Sequence, residues 1–380
     1  MYNFELKIPT EIYFGVNVEE QVGKLMKPYS SKVMLVYGSE RIFKNGLGEK
    51  IVGYLESEGC EVVKQGGVKP NADEEYIEKA IKLAREEGVD GIVAIGGGSV
   101  IDSAKAISAG MFTEGNIMDI YKGKATPVKF LPIGAIVTVP ATASESNGMS
   151  VISSSKTKEK IGGFFEETKP KFALLNPELT LTVSRYQTAA GGFDIFAHAF
   201  ERYIDLTRHS LLLDEMTMGV MKTMIEILPD LIDNPLDMEK RSDMMFAATV
   251  AHNDMIGPGG DFACHQISHE ITESYGIAHG GALAMIIPAW CEYMKDRQRD
   301  RLTKLFAGLF GSGSVEEGIT ALKSFISSIG LSLGVNVDCD ETEYIANKIV
   351  GDLGFTGGAC EKLDKADVIS VLKKFMSVGA

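Results

Sequence analysis

The stretch VAIGGGSVIDSAK, residues 93–105, decides the fold of the first half of the chain, because it has the pattern of a buried strand, a glycine turn and the start of a helix. Short β-rich runs such as VMLVYG at 33–38 alternate with helical patterns such as DEEYIEKAIKLAREEG at 73–88. This alternation is typical of βαβ units. It therefore predicts a parallel sheet.

The strand-like runs stop after KFALLNPELT at 171–180, and amphipathic helical segments continue to the C-terminus. A chain of 380 residues, 45% of them hydrophobic, exceeds one ordinary core. We therefore predict an α/β fold with a parallel-sheet domain at 1–180. An all-helical domain at 181–380 follows it, with a cleft between the two.

Composition and charge argue against several classes of partner. The net charge is −14, from 38 basic and 52 acidic residues, so nucleic acid is an unexpected ligand. No apolar run approaches the roughly 20 residues of a membrane helix, and the start of the chain lacks a signal-peptide pattern. Cys60, Cys264, Cys291, Cys339 and Cys360 form no C-x-x-C pair and are expected to be reduced thiols. We expect a cytoplasmic protein without a membrane segment.

The glycine turn supports two interpretations. Gly97, Gly98 and Ser99 lie where backbone N–H groups and a helix dipole make an anion site, so a cofactor phosphate could bind there. Alternatively the glycines only form a tight turn, and Ser99 with Asp102 forms a capping box. The match to G-x-G-x-x-G fails at Ile101, and the turn follows the third predicted strand of the domain rather than the first. Taken alone, the turn leaves nucleotide binding open.

The histidines are concentrated in one region. All six fall between 198 and 279. If both segments are helical, Asp194 and His198 share one helix face, as do His265 and His269, and His279 precedes a further helix. Each histidine alone would more often be a core or surface residue, but the set predicts a divalent metal site. Nitrogen and oxygen ligands without thiolate suit Zn²⁺ or Fe²⁺ and favour a catalytic metal.

Four stretches together resemble the iron-containing alcohol dehydrogenases, and especially their NADPH-dependent butanol dehydrogenase branch. They are GGGSVIDSAKA, VPATASESNGMSVIS, GGFDIFAHAFERYI and HQISHEITESYGIAHGGALAMIIP. The resemblance runs through essentially the whole chain. It implies that the α/β domain at 1–180 is a dinucleotide-binding domain and that the cleft before the helical domain is the active site. It further implies hydride transfer between a nicotinamide cofactor and a small primary alcohol or aldehyde, with the metal as a Lewis acid. It also implies a homodimer.

The resemblance carries over to individual positions. The family's metal ligands match Asp194, His198, His265 and His279, with Fe²⁺ as the expected ion and Zn²⁺ as the alternative. His269 matches a histidine near the nicotinamide that could pass the alcohol proton to solvent, or only orient the site. The positions that match cofactor contacts are Gly97, Gly98, Ser99, Asp102, Thr138, Thr142 and Lys160. Outside the glycine turn these are also ordinary strand, loop and surface residues.

The cofactor choice depends on the residues after the strand at 33–37. An NAD-selective enzyme usually places a carboxylate at the end of this strand, whereas Gly38 and Ser39 stand here. Small residues with a hydroxyl resemble the NADP-preferring branch, and Arg41 could add positive charge. Glu40 departs from that pattern because its carboxylate would repel a 2′-phosphate. The prediction is NADP, with NAD as the alternative.

Two other classes of function remain open. Dehydroquinate synthases share this kind of architecture and a metal with a nucleotide, but their phosphorylated substrate needs basic residues. The segment 252–281 contains no Lys or Arg, which favours a neutral alcohol or aldehyde. The third class is a non-catalytic metal- or nucleotide-binding relic, and an intact ligand set with the glycine turn argues against it.

Overall fold

The computed structural model of the chain describes residues 3–207, 210–337, 341–352, 358 and 362–378. His209, Cys339 and Cys360 lie outside the described residues. Lys7–Thr182 forms one compact unit, and the described residues from Val183 onward form the other, together with the segment that ends at Leu6. The predicted architecture, a parallel-sheet domain followed by a helical domain, is confirmed.

Nine strands belong to the first unit. They are β1 (Glu11–Phe14), β2 (Lys32–Tyr37), β3 (Glu61–Gln65), β4 (Ala72–Asp73), β5 (Gly91–Gly96), β6 (Ile133–Val137), β7 (Met149–Ser154), β8 (Glu159–Phe164) and β9 (Phe172–Leu175). Six of them form an all-parallel sheet in the order β1-β9-β6-β5-β2-β3. The remaining three form a small sheet in the order β4-β7-β8, with β7 and β8 antiparallel.

Six helices connect these strands. They are α1 (Val22–Met26), α2 (Arg41–Lys44), α3 (Leu47–Ser57), α4 (Glu74–Glu87), α5 (Gly98–Gly110) and α6 (Ile117–Tyr121). Every residue of β5 is buried, as expected for a central parallel strand covered on both faces. The short edge strand β1 was missed from the sequence, so β5 is the fourth strand of the main sheet and not the third, as predicted.

The strand order reverses beside β5. The chain passes from β2 to β3 on one side and then returns to β5 on the other side of β2, with Leu35 paired to Val93. In open α/β sheets, ligands bind at such a switch point, outside the carboxyl ends of the strands. The ends of β2 and β5 carry Gly38 and Gly97, which places both predicted cofactor segments at this edge.

The second unit is built mainly from helices. They are α7 (Arg185–Tyr203), α8 (Leu211–Asp233), α9 (Met238–Ala251), α10 (Ala263–Tyr275), α11 (His279–Met294), α12 (Arg299–Phe310), α13 (Val315–Ser328), α14 (Thr342–Asn347) and α15 (Lys365–Leu372). The unit is not all-helical as predicted, because β10 (Val335–Val337) and β11 (Met376–Val378) form a short parallel pair. These strands have only three residues each, too few for an alternating pattern to identify.

Helix α7 lies at the centre of the helical unit. Every residue from Thr188 to Tyr203 is buried, and the helix packs against α8, α9 and α11. Phe193, Phe196 and Phe200 stack along one side of it, and Trp290 meets Phe200 edge to face. A helix apolar on all sides is a core helix. Its polar residues are therefore held in fixed positions.

Among the described helices, none has both the length and the apolar character needed to cross a bilayer.

Candidate functional site

Three helices of the second unit bring four ligand-capable side chains to one point. Asp194 and His198 lie one turn apart on α7, His265 lies on α10, and His279 begins α11. The predicted helical spacing of these residues is confirmed. From Asp194 Oδ1, the distance is 3.9 Å to His198 Nδ1, 3.6 Å to His265 Nε2 and 3.7 Å to His279 Nε2.

The crossing of α11 over α7 explains how His279 reaches this point. A Cβ atom on Gly280 would lie 1.8 Å from the carbonyl oxygen of Ala190. The missing side chain lets the first turn of α11 lie directly on the backbone of α7, one turn before Asp194. Gly280 is therefore required by the packing of these two helices, directly beside the predicted ligand His279.

Three of the predicted ligand atoms lack hydrogen-bond partners among the described residues. Within the described part of the chain, Asp194 Oδ1, His198 Nδ1 and His265 Nε2 are buried and have no hydrogen-bond partner. Their residues are only 2%, 4% and 8% exposed, and buried polar atoms without partners are costly. Ligands held about 2.1 Å from a tetrahedral ion lie about 3.4 Å apart, close to the distances here. The carboxylate oxygen of Asp194 and one ring nitrogen each of His198 and His265 therefore fit a divalent iron or zinc ion, and His279 Nε2 lies 3.7 Å from the same carboxylate oxygen.

Burial and neighbouring charges act differently on two of the histidines. Burial, with the neighbouring His252 next, holds the pKa of His198 well below its usual value, so its ring is neutral. Burial alone would lower the pKa of His265, but the neighbouring carboxylate of Glu201, followed by that of Asp194, raises it to about 9. A metal ion must displace a proton from His265 in order to bind it.

A second layer of polar groups holds two of the imidazoles. Glu201 contacts the ring Nδ1 of His265. The Ser268 hydroxyl donates to the carbonyl of His265 at 2.6 Å, so at 3.1 Å it accepts from Nδ1 of His279. Sequence analysis missed both residues. Glu201 follows Asp194 by seven residues, two helical turns, and this spacing was the available signal.

Two other histidines lie beside the cluster. His269 is partly exposed, one turn after His265, and its ring centroid lies 5.7 Å from that of His279. The ring of His252 stacks on His198 at 4.2 Å and its Nδ1 accepts from Arg202 at 3.1 Å. Among the described residues, the ligand atoms of Asp194, His198 and His265 all lie within 4.8 Å of one another, and this group includes neither His269 nor the predicted ligand His279.

The glycine turn of the first unit leads directly into α5. Gly97 is the N-cap residue of the helix, and no side chain caps its first turn. A Cβ atom on Gly98 would lie 2.8 Å from Oγ1 of Thr142, so the turn packs against the loop that carries this threonine. Thr138 follows β6, and its N–H donates to the carbonyl of Gly96 at 2.9 Å. Both predicted threonines therefore lie beside the turn.

Ser99 and Lys160 are linked through Asn71. The backbone N–H of Asn71 donates to the Ser99 hydroxyl at 3.2 Å, and its side-chain oxygen accepts from Lys160 Nζ at 3.1 Å. Asn71 has a φ of 63°, the left-handed conformation that asparagine tolerates better than most residues. Sequence analysis did not single it out, although proline and asparagine, the residues at 70 and 71, are both frequent in turns.

Asp102 does not form the predicted capping box. The helix starts at Gly98, so Ser99 is its second residue and cannot be the cap. The Asp102 carboxylate is partly exposed and accepts from the Ser144 hydroxyl at 2.6 Å and from the Val151 N–H at 3.0 Å. It ties α5 to the segment 144–151.

The end of β2 carries small residues followed by a carboxylate. Gly38 and Ser39 follow the strand, and Oε1 of Glu40 accepts a hydrogen bond of 2.8 Å from the Tyr37 hydroxyl. Burial, followed by this bond, raises the pKa of Tyr37 to about 12. The Glu40 carboxylate is thereby engaged with its own strand.

Family models match both units. Residues 9–177 match the model described as iron-containing alcohol dehydrogenase, and residues 188–376 match that of the C-terminal region of the iron-containing alcohol dehydrogenase family.

Individual proteins are similar over nearly the full length. A probable NADH-dependent butanol dehydrogenase 2 of Bacillus subtilis is 37% identical over 98% of this chain and 99% of its own. The NADPH-dependent aldehyde reductase YqhD of Escherichia coli is 33% identical over 87% of this chain and 88% of its own. The crystal structure of an NADH-dependent butanol dehydrogenase A from Thermotoga maritima has a TM-score of 0.95 and 31% identity, covering 99% of both chains.

Proposed function

The chain belongs to the iron-containing alcohol dehydrogenase family and is a metal-dependent, NAD(P)-linked alcohol dehydrogenase, and from this premise we propose its ligands, cofactor preference and substrate class. The proposed metal ligands are Asp194, His198, His265 and His279. The proposed reaction interconverts a small, neutral, straight-chain primary alcohol such as butanol and its aldehyde, with a preference for NADP(H).

One observation carries the ligand assignment. Within the described chain, three buried polar atoms on two helices face one another without hydrogen-bond partners, and His279 Nε2 lies 3.7 Å from one of them. A structural histidine would normally satisfy both ring nitrogens when buried. The absence of cysteine from the set favours a catalytic site over a structural zinc site. Iron is the proposed ion, and zinc suits the same donors.

The residues around the ligands prepare the site for catalysis. Asp194 supplies the negative charge of the set, and three neutral imidazoles leave a divalent ion with a net positive charge. Burial removes water, which strengthens electrostatic interactions there. When bound, the ion supplies a Lewis acid for the oxygen of the alcohol or aldehyde, and the nicotinamide supplies the hydride chemistry.

His269 is proposed to move the proton of the alcohol. It is partly exposed, lies one turn beyond His265 and is close to the His279 ring, so it lies between the buried cluster and solvent. The unperturbed pKa of histidine suits proton transfer near neutral pH. This assignment requires that His269 is not a metal ligand.

The cofactor site is proposed to lie at the carboxyl ends of β2 and β5. Backbone N–H groups at Gly97, Gly98 and Ser99 would hold the pyrophosphate, since the N-cap residue Gly97 has no side chain to satisfy the first turn of α5. Thr138, Thr142 and Lys160 are proposed as further contacts. Asp102, whose two oxygens accept from Ser144 and Val151, is proposed to hold the turn in place behind the cofactor.

The proposed preference for NADP rests on the end of β2. Gly38 places no carboxylate where a ribose 2′-hydroxyl would be held, and Ser39 offers a hydroxyl donor. The hydrogen bond between Glu40 and Tyr37 supports a glutamate directed along its own strand rather than toward the cofactor. The relatives are named for NADH or for NADPH, so the preference has to be measured on this protein.

The buried arginine near the cluster is already bound by protein groups, which supports a neutral substrate. Arg202 is buried, and its guanidinium donates to the carbonyls of Ala251 at 3.0 Å and Gly259 at 2.7 Å and to Asp254 at 3.2 Å. This arginine therefore has a structural task. The segment 252–281, which supplies two proposed ligands, contains no Lys or Arg. The phosphorylated substrate of a dehydroquinate-synthase-like lyase would lack a counter-charge from this segment.

The test is a screen of straight-chain aldehydes and alcohols with NADPH and NADH, after the metal has been removed and Fe²⁺ or Zn²⁺ restored. We expect metal-dependent oxidation of NADPH with short aldehydes and none in the metal-free protein. Metal binding without turnover of any alcohol or aldehyde would indicate the non-catalytic alternative. The resemblance also supports a cytoplasmic homodimer, which light scattering with size-exclusion chromatography tests for the oligomeric state.

A further inference from the structure

The carboxylate of Glu201 lies directly behind the proposed metal site. Glu201 is fully buried on α7, three residues after His198 and seven after Asp194, so it continues the same helix face. A buried carboxylate is costly unless it is well satisfied. Its hydrogen-bond partners must therefore offset the cost of burying the carboxylate.

All three contacts of this carboxylate lie on the first turn of α10. Oε1 accepts from the Cys264 N–H at 2.7 Å, and Oε2 accepts from the His265 N–H at 3.2 Å and contacts the His265 ring Nδ1. Helix α10 begins after Phe262, which is in the left-handed conformation and offers no side-chain cap. Glu201 thus supplies an N-terminal cap from a different helix.

The ring contact fixes the tautomer of His265. A carboxylate oxygen only accepts, so Nδ1 must carry the hydrogen and Nε2 keeps its electron pair for the metal. Nε2 faces the cluster, 3.6 Å from Asp194 Oδ1. Ser268 acts in the same way on His279, because its own hydrogen is donated to the His265 carbonyl.

We propose that Glu201 is a positioning residue that holds His265 in the Nδ1–H tautomer, with Nε2 directed at the metal, and at the same time anchors the start of α10. The proposal rests on the ligand set proposed above. A positioning role differs from a purely structural capping role in one respect. If Glu201 positions His265, its effect on metal affinity requires the His265 ring to be present.

The first variant is Glu201→Gln, which keeps the size and removes one acceptor. The single amide oxygen of the glutamine can accept a hydrogen bond either from the Cys264 N–H or from the N–H and ring Nδ1–H of His265. Its NH₂ group then faces the remaining N–H donor and cannot accept from it. We expect Zn²⁺ to bind about 10- to 100-fold more weakly, the range typical for lost partners of metal-bound histidines. Glu226→Gln is the matched control, an exposed position on α8 of the same unit, and should leave Zn²⁺ affinity unchanged. Circular dichroism and thermal unfolding of the metal-free proteins check that both variants fold.

A double-mutant cycle separates positioning from capping. In a His265→Ala background, Glu201→Gln should change the Zn²⁺ dissociation constant by less than about threefold, whereas in a His279→Ala background it should keep its full effect. An equal loss of Zn²⁺ affinity in both backgrounds would show that Glu201 acts only as a helix cap and would overturn the proposal. No loss in the otherwise unchanged protein would also overturn the proposal. Failure of the unmodified protein to bind Zn²⁺ would instead refute the proposed ligand set.

A second measurement needs no variant at Glu201. In the Zn²⁺-loaded protein labelled with ¹⁵N-histidine, long-range ¹⁵N–¹H spectra report the tautomer of each ring, and His265→Ala assigns the signal by its loss. We expect a hydrogen on Nδ1 of His265. A hydrogen on Nε2 would contradict the proposal even if Glu201→Gln does not fold.

Discussion

The replacement Gly38→Asp should shift the cofactor preference from NADPH toward NADH. A Cβ atom on Gly38 would lie 3.6 Å from the Val68 carbonyl oxygen and 4.0 Å from Val100 Cγ2, which are ordinary contacts. The new side chain therefore fits without displacing the backbone. It places a carboxylate at the end of β2, where NAD-selective enzymes use one to accept from the ribose 2′-hydroxyl.

The size of the shift follows from charge repulsion. A 2′-phosphate carries about −1.5 to −2 charges if its second pKa is near 6. Two unit charges 4 Å apart interact by about 4 kcal/mol at an effective dielectric constant of 20. Gly38 is partly exposed and Ser39 is exposed, so salt and water reduce this to about 1–3 kcal/mol. The ratio of kcat/KM for NADPH over NADH should fall by about 5- to 150-fold.

The matched control is Gly38→Asn, which has nearly the same shape and no charge. Both variants and the wild type are assayed with butyraldehyde and each cofactor at two salt concentrations. The asparagine variant should keep most of the NADPH preference, and the effect of the aspartate variant should shrink as salt increases. Equal ratios for both variants would show that shape, not charge, controls this position. A wild-type ratio below one would refute the proposed NADP preference itself.

Three further changes test the other assignments. His265→Ala should abolish activity and lower the bound metal measured by elemental analysis, because three remaining ligands cannot hold the ion in a catalytic geometry; full metal content with full turnover would remove His265 from the site. His269→Ala should keep the metal and lower kcat, and loss of metal would mean that the roles of the two histidines are exchanged. Lys105 is fully buried, and burial lowers its pKa to about 8 from 10.5. The folded protein therefore releases this proton at lower pH than the unfolded chain does. The wild type should gain thermal stability relative to Lys105→Met as pH rises from about 8 to 10.5. A difference in Tm that stays constant over this pH range would contradict the prediction.

The parts of the molecule that repeat a simple period were predictable. Buried strands next to amphipathic helices predicted the parallel sheet, and the four-residue spacings predicted that Asp194 and His198 share one helix face and His265 and His269 another. Each of these inferences needs only local geometry. The short strands β1, β10 and β11 were missed because three or four residues do not establish a period.

The alternative interpretation of Ser99 and Asp102 as a capping box is wrong for a related reason. The pattern Ser-x-x-Asp places the helix start at Ser99, but the helix starts at Gly98, packed against the loop that carries Thr142. Asp102 then contacts Ser144 and Val151, which are distant in sequence. A local motif cannot predict which long-range partners compete for its side chains.

The pattern of α7 shows why the outer layer of the metal site was harder to find than the ligands. Asp194 and His198 attract attention because their chemistry is rare in a buried helix, whereas Glu201 and Arg202 form the kind of charged pair that usually faces solvent. Here both are buried, and each acts on a segment that follows α9: Glu201 on the start of α10 and Arg202 on the loop before it. One helix therefore carries two of the proposed ligands and, in its next turn, the groups that bind the segment leading to the third. A charged residue in such a register, on a helix whose other faces are apolar, is better interpreted as a partner of the site than as part of a solvated face.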